Sequence, residues 1–227
     1  MKTLFLLMAF SLHVSAHDLW IEDAQDRSLV RYGHSGLGHD GEKYLAYAPT
    51  VVKQATCFVD QASQSISISN VSPVVVTQSC DVQWVVFSTG FWSKTPQGTI
   101  NKARNELPAV YQSWLSQESV KRIIRWQETM KTPATDSFEL VAEENPLLLS
   151  VGDKMRLRVF DHGQPLANVV VAYFGNPRGM TDDQGRINIR IQQSGLQLIQ
   201  ASKNEPYTDK SQADQWIQTT ALQVFVP

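Results

Sequence analysis

The chain has 227 residues, 42% of them hydrophobic and 19% charged, with a formal net charge of −2. No Lys/Arg cluster is present that could neutralise a run of phosphates, which excludes nucleic acid as the partner, and nothing favours an anionic membrane surface. The length suits one large or two small domains.

Residues 1–16, MKTLFLLMAFSLHVSA, have the three parts of a secretory signal peptide. Lys2 supplies the positive start, Thr3 to Leu12 an apolar stretch too short to anchor in a bilayer, and Val14-Ser15-Ala16 the small residues accepted at a cleavage site. Cleavage after Ala16 removes His13 and makes His17 the new N-terminus. No later apolar run reaches the ~18 residues that a transmembrane helix needs. The expectation is a periplasmic or secreted protein with no transmembrane segment after cleavage.

From Asp18 the runs DLWIED and RSLVRYG alternate between apolar and polar positions, as half-buried strands do. The glycine-rich stretch GHSGLGHDGE follows, and its glycines permit a tight loop. Gly36, Gly38 and Gly41 spell GxGxxG, but no βαβ unit surrounds them and the dinucleotide reading fails. TVVKQATCFVD, SISISN, PVVVTQ and VQWVVFSTG then read as antiparallel strands. Cys57 and Cys80 fall among them. An even cysteine count in an exported chain points to a disulfide, whose closed loop stabilises by roughly 3 kcal/mol in the chain-entropy picture.

Between Pro108 and Gln127 the period changes. Val110 with Trp114, Tyr111 with Leu115, and Val120 with Ile123 and Ile124 sit at helical spacing, and Pro108 suits a first turn. A helix over 108–127 is expected. MKTPATDS reads as a linker, and beyond it SFELVAE, KMRLRVFDHG, NVVVAYF, RINIRIQ, LQLIQAS and TALQVFV return to short strands with turns near every tenth residue. The expected architecture is mainly β, with two β-sandwich units of immunoglobulin-like or transthyretin-like type and a helical segment between them. The N-terminal unit spans 17–132 and the C-terminal unit 136–227.

Three of the five histidines, His17, His34 and His39, lie between residues 17 and 43. A free N-terminal His offers its α-amine and a ring nitrogen together, and one or two further imidazoles complete a nitrogen set. Such a set suits Ni(II), Co(II), Cu(II) or Zn(II). Asp18 and Asp40 flank these histidines and either ligate or orient a ring. His162, at a turn in the C-terminal unit, joins only if that turn packs inward. Other chemistries lack their residues: no GxSxG elbow, no HExxH, no Walker sequence and no distinguishable carboxylate pair. No catalytic residue is assigned. A copper protein oxidising polysaccharide through a His17 brace, and a sandwich module for adhesion or assembly without metal, are the competing readings.

Ala-His-Asp-Leu-Trp at the processing site, the Gly33-His34 and Gly38-His39 pairs, and GQPLANVVVAYF with TDDQGRINIRIQQSG resemble the DUF4198 family. In that family a GHGH-like segment follows the start, whereas here Ser-Gly-Leu separates the two pairs. STGFWSKTPQG is similar to the family's middle region. The resemblance implies a periplasmic accessory protein, similar to the periplasmic component of ECF-type transporters, that presents Ni(II) or Co(II) to membrane transporter components.

Because imidazole and α-amine lose protons to ligate, metal affinity is expected to fall as pH drops through about 6–7. Isothermal titration across that range checks this, and pH-independent binding contradicts a histidine site.

Overall fold

The computed structural model describes residues 17–25, 27–35, 42–60, 62–76 and 79–227. The signal-peptide expectation for 1–16 lies outside them. The described residues are mainly β, in several sheets, and carry no helix of seven residues or more. In chain order the strands are β1 (Asp18–Ala24), β2 (Arg27–Gly33), β3 (Val52–Val59), β4 (Ala62–Ser65), β5 (Val82–Thr95), β6 (Gly98–Ile100), β7 (Gln112–Ile123), β8 (Glu139–Ala142), β9 (Lys154–Asp161), β10 (Gln164–Pro165), β11 (Val170–Tyr173), β12 (Asn176–Met180), β13 (Arg186–Arg190), β14 (Gly195–Pro206) and β15 (Gln215–Val226).

The main sheet has the order β12-β11-β14-β15-β7-β5-β3-β4, with β6 also on β5. Its neighbours are antiparallel except β15 and β7, which run parallel from Gln215 opposite Trp114 to Gln223 opposite Arg122. This parallel seam joins strands from before residue 132 to strands from after residue 136, so the sheet is continuous across that boundary. A smaller sheet of β8, β9, β10 and β13 packs on one face. There Leu140, Met155, Leu157 and Ile189 meet Trp84, Ile123, Ile199 and Leu222. The hairpin β1–β2 packs on the opposite face, where Leu19, Ile21 and Val30 join Val85, Phe87, Val120, Leu198 and Ala221. Cys57 and Cys80, 23 residues apart, form the expected disulfide within this second core.

The helix expected over 108–127 is not formed; Gln112–Ile123 is the central strand β7. Both of its faces are covered, so apolar side chains need not alternate with polar ones. Val120 belongs to the hairpin-side core and Ile123 to the other. Their three-residue spacing mimics a helical stripe while serving two opposite faces. Likewise SISISN contributes no strand of its own, and the described residues of PVVVTQ form an isolated bridge from Val75 to Leu29.

Lys121 of β7 and Glu139 of β8 tie the two sheets together by a buried ion pair at 2.5 Å, with side chains 5% and 0% exposed. The Glu139 oxygens also accept from the backbone N–H of Ala134 and Thr135 and from the Thr135 hydroxyl. Removing one partner of such a pair strands a charge in the interior and costs about 3–5 kcal/mol. Lys121→Met is therefore expected to lower stability by that amount in urea unfolding, and adding Glu139→Gln to recover much of the loss. A Lys121→Met protein as stable as the native one contradicts this.

Candidate metal centre

His17 immediately precedes β1 and His34 immediately follows β2. Pairing Asp18 with Gly33 across the hairpin therefore brings the two histidines to the same end. Their ring centroids are 5.1 Å apart at 65°. Gly33 makes this end close: its φ is +145°, and a Cβ there would stand 2.3 Å from the Lys43 carbonyl oxygen. The returning chain bonds the same place, with His34 N–H donating to Lys43 O at 3.0 Å and Leu45 N–H to Tyr32 O at 2.8 Å. His39 and Asp40 lie outside the described residues, in the stretch between Ser35 and Glu42.

Asp18 is 6% exposed, and both of its oxygens are engaged. Oδ2 accepts from Ser35 N–H at 2.9 Å and from the Ser35 hydroxyl, while Oδ1 accepts from Gln200 Nε2 at 2.8 Å. It thus fixes the residue next to His34 against β1 and the main sheet. His162 is elsewhere. It lines a cleft with Trp84, Phe138 and Lys203 on the other face of the main sheet, so the structure does not bring it to His17.

Two residues missed in the sequence belong to the site. Tyr32 places its hydroxyl 3.3 Å from His17 Nδ1, with ring centroids 5.3 Å apart. Beneath it the Glu118 carboxyl of β7 is hydrogen-bonded to the same hydroxyl. Tyr32 was legible in retrospect: it stands two residues before His34 on an alternating strand, hence on the same face. Glu118 was hidden by the helical reading of β7.

Burial, and then the neighbouring His34, hold the His17 pKa below its ordinary value, partly offset by Asp18. The imidazole is thereby kept in the neutral form that ligates. Burial, and then Glu118, push the Tyr32 pKa up, which keeps the phenol protonated. Burial pushes Glu118 up to about 8; the Tyr32 hydrogen bond opposes this and the Asp18 charge adds to it. Among the described residues no Lys or Arg pairs with Asp18 or Glu118, and no group of three or more His, Cys, Asp or Glu side chains is placed to hold a metal. The described nucleus is thus two imidazoles and a phenol above two carboxyls.

This chain belongs to the DUF4198 family, a domain of unknown function, whose family model matches residues 14–205. It is also similar to an uncharacterized protein of Haemophilus influenzae (strain ATCC 51907 / DSM 11121 / KW20 / Rd), 24% identical over 178 residues that cover 75% of this chain and 74% of the relative. No solved structure matches.

Folding raises the Glu118 pKa, so between about 4.5 and 8 the folded state holds a proton that the unfolded chain releases. Stability contributed by this group is lost as pH rises through that window. Thermal melts in EDTA are expected to show Glu118→Gln gaining on the native protein from about pH 5 to about pH 8. A difference that stays constant with pH contradicts the assignment.

Proposed function

We propose that the protein is an exported transition-metal-binding protein that assists nickel or cobalt uptake, with His17 and His34 as its ligand pair. One observation carries the reading: two adjacent imidazoles, one held neutral, stand near the buried Asp18 carboxyl and the half-buried Glu118 carboxyl, neither of which has a Lys or Arg partner among the described residues. Carboxyls drawn out of water without a cationic partner favour the approach of a positive charge, and a cation bound above them supplies it. Imidazole nitrogens with a nearby oxygen donor suit Ni(II) and Co(II), and also Cu(II) and Zn(II).

Cleavage after Ala16 adds the α-amine of His17 to the set, and His39, with Asp40 beside it, supplies a further candidate from the adjoining stretch. Asp18 serves as an orienting residue rather than a ligand, because its oxygens are already occupied. The disulfide fits an oxidising compartment outside the cytosol. Among the described residues no helix is long and apolar enough to cross a membrane. Handing metal to membrane transporter components rests on the family resemblance, and the protein's part is binding and presentation rather than catalysis.

His34→Ala is expected to weaken Ni(II) binding at least 10-fold without changing the melting temperature of the metal-free protein, because its side chain lies at the rim of the hairpin. Isothermal titration with Ni(II) checks it. Native affinity in both His17→Ala and His34→Ala removes the pair from the function.

A further inference from the structure

Tyr32 is held more firmly than a bystander beside a metal site would be. Its ring stacks on Phe87 at 4.7 Å and 28°, and Phe87 is fully buried. Phe87 of β5 and Glu118 of β7 are direct cross-strand partners. One neighbour on the sheet therefore fixes the phenol ring, and the next fixes its hydroxyl. A phenol has one proton to donate. Given to Glu118, it leaves the oxygen lone pairs facing His17 Nδ1, 3.3 Å away. A histidine that chelates through its own α-amine does so with Nδ1, the ring nitrogen nearer the backbone. A cation held there comes within reach of the Tyr32 oxygen.

The geometry points to Tyr32 as a neutral oxygen donor of the metal site and to Glu118 as the positioning residue that aims it. This rests on the metal reading above. Glu118 is further constrained from its other side, where Thr219 of β15 is its partner across the parallel seam. The residue is thus set by the middle of the main sheet and not by a loop.

The test uses the mature chain beginning at His17, loaded with Cu(II) as a spectroscopic probe and read by electron paramagnetic resonance and competition titration. Tyr32→Phe and Glu118→Ala are expected to move the copper hyperfine pattern to the same new signal and to weaken Cu(II) binding about 10-fold. Glu118→Gln, whose carboxamide oxygen accepts the same hydrogen bond, is expected to keep the native signal. Tyr32→Phe combined with Glu118→Ala should match Tyr32→Phe alone, because Glu118 acts through the phenol. Circular dichroism accompanies each variant, and the conservative pair Tyr32→Phe and Glu118→Gln keeps the test decisive if the alanine variant does not fold. Native copper signals in Tyr32→Phe and Glu118→Ala, with His17→Ala abolishing binding, overturn the inference and leave the metal reading standing. A native chain that binds no copper, nickel or cobalt overturns both.

Discussion

Among the described residues the hairpin β1–β2 pairs with no strand of the main sheet, and two strands alone are marginal in water. What holds it in place is a row of side chains rising from the sheet beneath. Gln223 of β15 donates to the Ile21 carbonyl and accepts from the Ile21 N–H, at 2.6 and 2.8 Å, completing a strand's hydrogen bonds with a side chain. Gln200 of β14 holds Asp18, and Arg122 of β7 pairs with Asp23 at the opposite end of β1. Between them Leu19, Ile21 and Val30 are nearly or fully withdrawn from water. Since His17 and His34 are the residues just beyond the ends of these two strands, the site is assembled by this docking.

That dependence links fold to chemistry. Burying backbone amides and carbonyls under a hairpin is tolerable only when each finds a partner, and Gln223 meets the requirement at Ile21 while Gln200 does the same for the Asp18 side chain. Carboxyls are the costlier tenants. Asp18 is satisfied by Ser35 and Gln200, so its charge is solvated by the protein, while Glu118 has the phenol of Tyr32 and a strongly raised pKa. Elsewhere the same fold compensates buried carboxylates directly: Glu139 has Lys121, and Asp81 has Arg125. The contrast sets the carboxyls under His17 and His34 apart as ones with no Lys or Arg partner among the described residues.

Much of this was legible in the sequence where residues act locally. DLWIED and RSLVRYG alternate because one face of each strand meets the sheet, and they form β1 and β2. The histidines flanking them, and the disulfide partners, were visible as residue types at suggestive places. Legibility ended where faces are set by distant chain. β7 is covered on both sides, so its apolar residues lost their alternation and read as a helix, and with that Glu118 lost its face. His162 lies at a turn as expected, but the turn packs on the other side of the main sheet. The parallel seam between β7 and β15, about a hundred residues apart in sequence, has no local signature.

Membership of the DUF4198 family places the chain among relatives without assigning them a chemistry, so the case for metal stands on the His17 end of the hairpin. The most direct measurement is native mass spectrometry of protein purified from the periplasm, with Ni(II), Co(II), Cu(II) and Zn(II) offered in competition. The account predicts a chain that begins at His17 and carries one tightly held ion, lost when His17 or His34 is replaced by alanine. A chain that begins elsewhere, or one that remains metal-free with all four ions present, would contradict it.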